Sequence, residues 1–105
     1  MGLDSNVLTP LSIDEIDVRT KVIVANEKFK TIFFNFVAGS GKPYHTYNGY
    51  ASVQVYEGII IMEFKTGEKF RLKKGDFIPF DARIDHNIVA EVDSKVLVTI
   101  SEALS

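Results

Sequence analysis

No cysteine occurs in the 105 residues. The fold therefore carries no disulfide, and no thiolate is available as a nucleophile or metal ligand. The expected setting is a reducing, cytoplasmic one. Long apolar runs are also missing: stretches such as Gly58 to Met62 fall far short of the roughly 20 residues that span a bilayer. The N-terminus is polar and acidic, without the basic flank and apolar stretch of a signal peptide. Positive charge is in slight deficit, with 12 Lys and Arg against 14 Asp and Glu and a net charge of −2. The lysines are scattered among the acids, so no basic stripe offers a surface for nucleic acid or an anionic membrane. There is no helical period long enough for a strand–helix–strand unit, no internal repeat and no low-complexity linker. These absences leave one soluble domain, large enough for a single core.

What the chain has in abundance is short β texture. Lys21 to Ala25, Thr31 to Val37, Ala51 to Tyr56, Ile59 to Phe64, Lys69 to Leu72, Phe77 to Phe80, Asn87 to Val92 and Lys95 to Ile100 are rich in valine, isoleucine, phenylalanine and threonine, the residues that suit a pleated, half-buried surface. Turn chemistry separates them at Gly39-Ser40-Gly41, Asn48-Gly49, Thr66-Gly67, Lys74-Gly75-Asp76 and Asp93-Ser94. Many short strands at close intervals predict a sandwich or barrel. Residues 1–17 form an N-terminal arm in which Ser12 and Glu15 match a capping box for one short helical turn. Residues 18–105 form the single β domain.

Two spacings stand out. Gly39, His45, Tyr47, Ala51 and Gly58 form the first, and Gly75, Asp81, Arg83, His86 and Ala90 the second. They resemble the two motifs of the cupin superfamily, in which the first reads Gly, His, His, Glu, Gly and the second Gly, Pro, Gly, His, Asn. Gly39, His45, Gly58, Gly75 and His86 match. Tyr47 stands for the second histidine, Ala51 for the glutamate, Asp81 for proline, Arg83 for glycine and Ala90 for asparagine. Pro43 and Asp76 are also habitual in small cupins. The resemblance implies an all-β, antiparallel double-sheet jelly-roll barrel of the small, single-domain, RmlC-like type.

In a jelly roll, strand alternation decides what faces the interior. With His45 inward, Tyr47 and Ala51 share its parity, and His86, Ile88 and Ala90 form the matching set on the later strand. The candidate site is thus His45, Tyr47 and His86, with Ala51 leaving space where the glutamate would stand. Asn35 and Gln54, polar residues inside apolar strands, complete the expected pocket, since buried amides need partners. As metal ligands His45 and His86 supply two donors, while a site normally takes three or more. Tyr47, once deprotonated, and Asp81 are the candidate third ligands. No cofactor is demanded by this set. The candidate is a divalent transition metal (zinc, iron, manganese or nickel), held weakly.

Three functions are compatible with these residues. The first is a metal-independent barrel that binds a small molecule. The second is a divergent metal-dependent enzyme, similar to cupin dioxygenases or isomerases, that uses His45 and His86. The third is a metal-free sugar or small-acid isomerase or epimerase with a histidine base and Tyr47 as acid. The first is favoured because two of four ligand positions are altered. Gly39-Ser40-Gly41-Lys42 lacks the glycine spacing and hydroxyl of a phosphate loop and is assigned as a turn. Asp81, Asp85 and Arg83 are placed at the barrel rim. Thr31 to Val37 is apolar on both faces, so its second face needs a cover from the facing sheet's margin, the N-terminal arm or a second copy, and a homodimer is expected.

Overall fold

The structure, a computed structural model, describes residues 8–102; the expected arm at residues 1–17 lies partly outside them. They form nine strands: β1 (Thr20–Ala25), β2 (Phe29–Phe36), β3 (Gly41–His45), β4 (Gly49–Glu57), β5 (Ile59–Phe64), β6 (Lys69–Lys73), β7 (Phe77–Asp81), β8 (His86–Ala90) and β9 (Ser94–Glu102). Every pairing is antiparallel. One sheet runs β1-β2-β9-β4-β7 and the other β3-β8-β5-β6, the two faces of a jelly-roll barrel. No helix among the described residues is long and apolar enough to cross a membrane.

Period-two alternation builds the interior. Along β9 Ser94, Val96 and Val98 are buried between half-buried Lys95 and Leu97, and along β8 His86, Ile88 and Ala90 are buried around Asn87 and Val89. Phe34 and Phe36 stack at 5.4 Å between ring centroids and join Val53, Val55, Ile60, Met62 and Val96 in the core. Each such side chain contributes about 1.5–3 kcal/mol on burial.

Asn35 and Gln54 do not face this interior, contrary to the expectation for a pocket. Their neighbours Phe34, Phe36, Val53 and Val55 hold the inward positions. Alternation therefore turns Gln54 to solvent and sets Asn35 in a separate recess with Arg19 and Ser40. On the same outer face Phe33 is fully buried within the single chain. The 3-10 turn Ile13–Glu15 is tied to this face, with Tyr56 Oη donating to Asp14 Oδ1 at 3.0 Å. The apolar outer side of β2 thus has cover from its own chain at Phe33. Ser12 precedes the turn in extended conformation but makes no side-chain cap. Backbone bonds close the turn instead, so the capping box is not formed.

A further correction concerns Gly39-Ser40-Gly41-Lys42. The turn ends at Ser40 and Gly41 opens β3, one of the two edge strands of the smaller sheet. The approach to β8 is so close that a Cβ on Gly41 would lie 1.9 Å from the Ile88 carbonyl oxygen. Only a residue without a side chain docks there.

The motif glycines Gly39, Gly58 and Gly75 all have positive φ. Gly58 is the most constrained. At φ +92° a Cβ would meet Ser94 Oγ at 2.2 Å and the Asp93 carbonyl oxygen at 2.5 Å. Ser94 Oγ in turn accepts from Ile59 N–H at 3.0 Å and donates to the Val92 carbonyl at 2.7 Å, locking the β4–β5 corner to the β8–β9 corner. Gly67 has φ +110° but open space around it. Gly58→Ala is therefore expected to cost about 3 kcal/mol or more, and Gly67→Ala only the backbone strain of about 1–3 kcal/mol. Denaturant unfolding of the two variants measures the difference, and equal losses would contradict the steric account.

Candidate functional site

One cavity, ≈ 150 Å³ in volume, lies between the sheets and draws its lining from both. Its wall is mostly apolar, made by Ile32 and Phe34 of β2, Ala51 and Val53 of β4, Phe80 of β7, Ala82, Ile88 of β8, and Val98 and Ile100 of β9. Its polar lining consists of Lys42, His45, Tyr47 and His86. The structure thus brings together His45, Tyr47, Ala51 and His86 from the sequence-based set.

The two histidines meet because β3 pairs with β8 in a register that sets His45 directly opposite His86. Their ring centroids are 4.4 Å apart with the planes at 57°. His45 Nδ1 lies 2.8 Å from the Pro43 carbonyl oxygen, and His86 Nδ1 lies 2.6 Å from the Ile84 carbonyl oxygen. A carbonyl only accepts, so each Nδ1 carries a proton and Nε2 is the ring nitrogen left to face other partners. Both imidazoles are oriented by the backbone two residues upstream, a supporting contact of the kind that fixes a ligating histidine. His86 is 3% exposed and is enclosed by aromatic rings, with Phe80 at 4.8 Å and Phe64 at 6.0 Å. His45 lies at the exposed end of its strand.

Tyr47 enters from the loop between β3 and β4. Its N–H donates to the Ala82 carbonyl at 2.8 Å, and Ala82 N–H donates to the Gly49 carbonyl at 2.9 Å, which pins the loop over the cavity. Tyr44 is absent from the lining; its ring lies 4.1 Å beneath the Lys65 ammonium.

Lys42 is the residue that sequence reasoning missed. Strand parity sets it opposite His45, but a register irregularity between Lys42 and His45 resets the alternation and brings both into one lining. Its partner across the ladder is the inward Ile88, and its Nζ sits 5.4 Å from the Phe34 ring centroid. No ion pair engages it among the described residues.

No family model and no curated protein sequence matches this chain. Solved structures do. An RmlC-like cupin protein from Desulfovibrio desulfuricans is 27% identical, with 94% of this chain and 95% of that chain covered at a TM-score of 0.74. A cupin superfamily protein from Desulfitobacterium hafniense is 18% identical, covered to 86% in both chains at a TM-score of 0.79. The protein is a small cupin-fold domain. KdgF from Halomonas sp. is also similar, at 25% identity, 81% and 80% coverage and a TM-score of 0.70.

Seen as a cupin, the barrel keeps its motif glycines and one histidine from each motif. The other ligand positions hold Tyr47 and Ala51. Asp81 does not join them, which corrects its candidacy as a third ligand. On β7 alternation gives the inward place to Phe80 and turns Asp81 outward, into a different recess with Ile78 and Ile84. There Arg83 Nε and an Nη donate to the two Asp81 oxygens at 2.8 Å each, and that Nη also reaches Tyr50 Oη at 3.0 Å. Hydrogen bonds from the Arg83 side chain, then from its backbone N–H, hold the Asp81 carboxyl down to about 2. The rim placement of Asp81 and Arg83 is thus a closed ion pair.

A resident metal needs at least three protein donors of the right kind. Among the described residues no group of three or more His, Cys, Asp or Glu side chains is assembled. The donor set offers two imidazoles, an ammonium and a phenol, and the ammonium repels a cation. It does not fit a tightly held metal.

Burial pushes His86 below the ordinary imidazole value, and His45 pushes it the same way, against the Ile84 carbonyl and Asp85. As pH falls below about 6.5, the unfolded chain binds a proton at this position that the folded chain resists, so folding stability is lost. Above that value the contribution is fully present. His86→Gln cannot titrate, so the stability gap between wild type and this variant is expected to narrow between pH 7 and pH 5. A gap that stays constant across denaturant melts in that range would contradict the desolvation of His86.

Proposed function

We propose that this cupin barrel binds a small organic molecule and works without a tightly bound metal. The observation that carries the reading is the convergence of two backbone-oriented imidazoles and a phenol on one mostly apolar cavity of ≈ 150 Å³. That combination of an apolar wall with a few directed polar groups is the usual make-up of a small-ligand site. An apolar cavity of about 150 Å³ accepts a ring the size of benzene, so the ligand is small. The altered motif positions Tyr47 and Ala51 argue against the metal-dependent alternative.

A proton-transferring enzyme is the second reading, favoured by one feature. His86 is buried, is pushed toward its neutral form and commits its Nδ1 proton to Ile84, which leaves Nε2 as a base in the cavity that Tyr47 also lines. Deuterium uptake from heavy water into a bound ligand, dependent on His86, would support it over simple binding.

An NMR titration of the labelled protein with neutral, acidic and basic fragments of up to about ten heavy atoms tests the main reading. Saturable shifts at His45, Tyr47 and His86 are expected. His45→Ala should weaken the best fragment about tenfold, equivalent to one directed hydrogen bond at a half-open site, and leave the melting temperature nearly unchanged because His45 is exposed. Metal analysis of untagged protein should give well under one ion per chain. One tightly held ion, lost in His45→Ala, would overturn the reading in favour of a metalloenzyme.

A further inference from the structure

The cavity has an unusual charge balance. Lys42 is part of the lining, no carboxylate appears in it, and no acid among the described residues pairs with Lys42. Other lysines near the barrel are accounted for differently: Lys73 pairs with Asp76, and Lys65 lies over Tyr44. Lys42 faces the inward Ile88 across the ladder, and its ammonium stands by the cavity-lining ring of Phe34. A cation at the mouth of an apolar cavity attracts an anion, and its attraction is strengthened by low-dielectric walls.

The histidines ask for something else. With Nδ1 of each committed to a carbonyl, Nε2 is the nitrogen left for a ligand, and its lone pair accepts from an O–H donor. Lys42 is the one lysine or arginine of the lining, so its ammonium supplies the charge. A ligand that satisfies both groups carries an anion and a hydroxyl on one small body, with an apolar tail for Ile32, Val98 and Phe80.

We propose that the ligand is a small hydroxycarboxylate with a hydrophobic tail. Its carboxylate is held by Lys42 and its hydroxyl donates its one proton to Nε2 of His45, beside the His86 ring. The inference rests on the small-molecule reading above and deepens it.

Three probes of nearly equal shape separate the contributions: mandelate, mandelamide, which lacks the charge, and phenylacetate, which lacks the hydroxyl. Calorimetric or NMR titration should rank mandelate first. Loss of the charge and loss of the hydroxyl should each weaken binding about tenfold, the effect of one charge-assisted or directed hydrogen bond. Lys42→Met keeps the stem over Phe34 and should abolish the preference for acid over amide while retaining the preference for the hydroxyl. Lys42→Arg should restore the preference for the acid. His45→Ala should do the reverse of Lys42→Met, removing the hydroxyl preference and retaining the charge preference. Equal affinity for mandelate and mandelamide in the wild type would overturn the proposal and leave the binding barrel intact. Binding of other fragments with none of these three would do the same, whereas no saturable binding of any fragment would remove both readings together.

Discussion

Everything distinctive about this site hangs on the pairing of β3 with β8. That ladder sets His45 across from His86, and it forms only because Gly41 lets the two backbones approach without a Cβ between them. The same pairing brings two similar supports into place. Pro43 and Ile84, each two residues before its histidine, turn a carbonyl onto Nδ1. A proline carbonyl is well suited to this on an edge strand, because its missing N–H costs no ladder bond when that side faces solvent. The imidazole pair is thus held by main chain on both sides, independent of any ligand.

The barrel also shows why a motif can survive in part. Gly39, Gly58 and Gly75 answer to backbone torsion, and Gly58 additionally to the crowding of Ser94. None of these demands refers to what the cavity holds. Tyr47 and Ala51 answer only to the cavity: the loop at Tyr47 is fixed by main-chain bonds to Ala82 whatever side chain it carries, and Ala51 needs only to be small beside Phe80. Frame and contents are therefore separable, and here the frame is that of a cupin while the contents are two imidazoles, a phenol and an ammonium.

Most of the fold was legible in the sequence because it is written in period two. The β-rich runs and the turn dipeptides located eight of the strands closely, and the inward set on β8 reads directly from alternate residues. β3 escaped because Gly41-Lys42-Pro43 has the composition of a turn, and its strand character comes from docking on β8. Lys42 escaped for a related reason. The irregularity before His45 shifts its parity, and nothing in the local sequence marks that shift. Asn35 and Gln54 were placed in the pocket because amides in apolar strands invite a buried partner. In the structure they take the outward turn of the alternation, Gln54 in solvent and Asn35 in a separate recess. Asp81 illustrates the limit of a motif position, since a partner two residues away, Arg83, occupies both of its oxygens.

Because β3 is an edge strand with β8 as its one neighbour, half of the polar lining is mounted on a strand held by ladder bonds on one side alone. Edge strands open locally at lower free energy than central ones. A molecule that bridges Lys42 or His45 to His86 would act as the neighbour this strand lacks. Its affinity and the order of the edge then become one thermodynamic quantity, seen once as occupancy and once as slowed amide exchange along Gly41–His45.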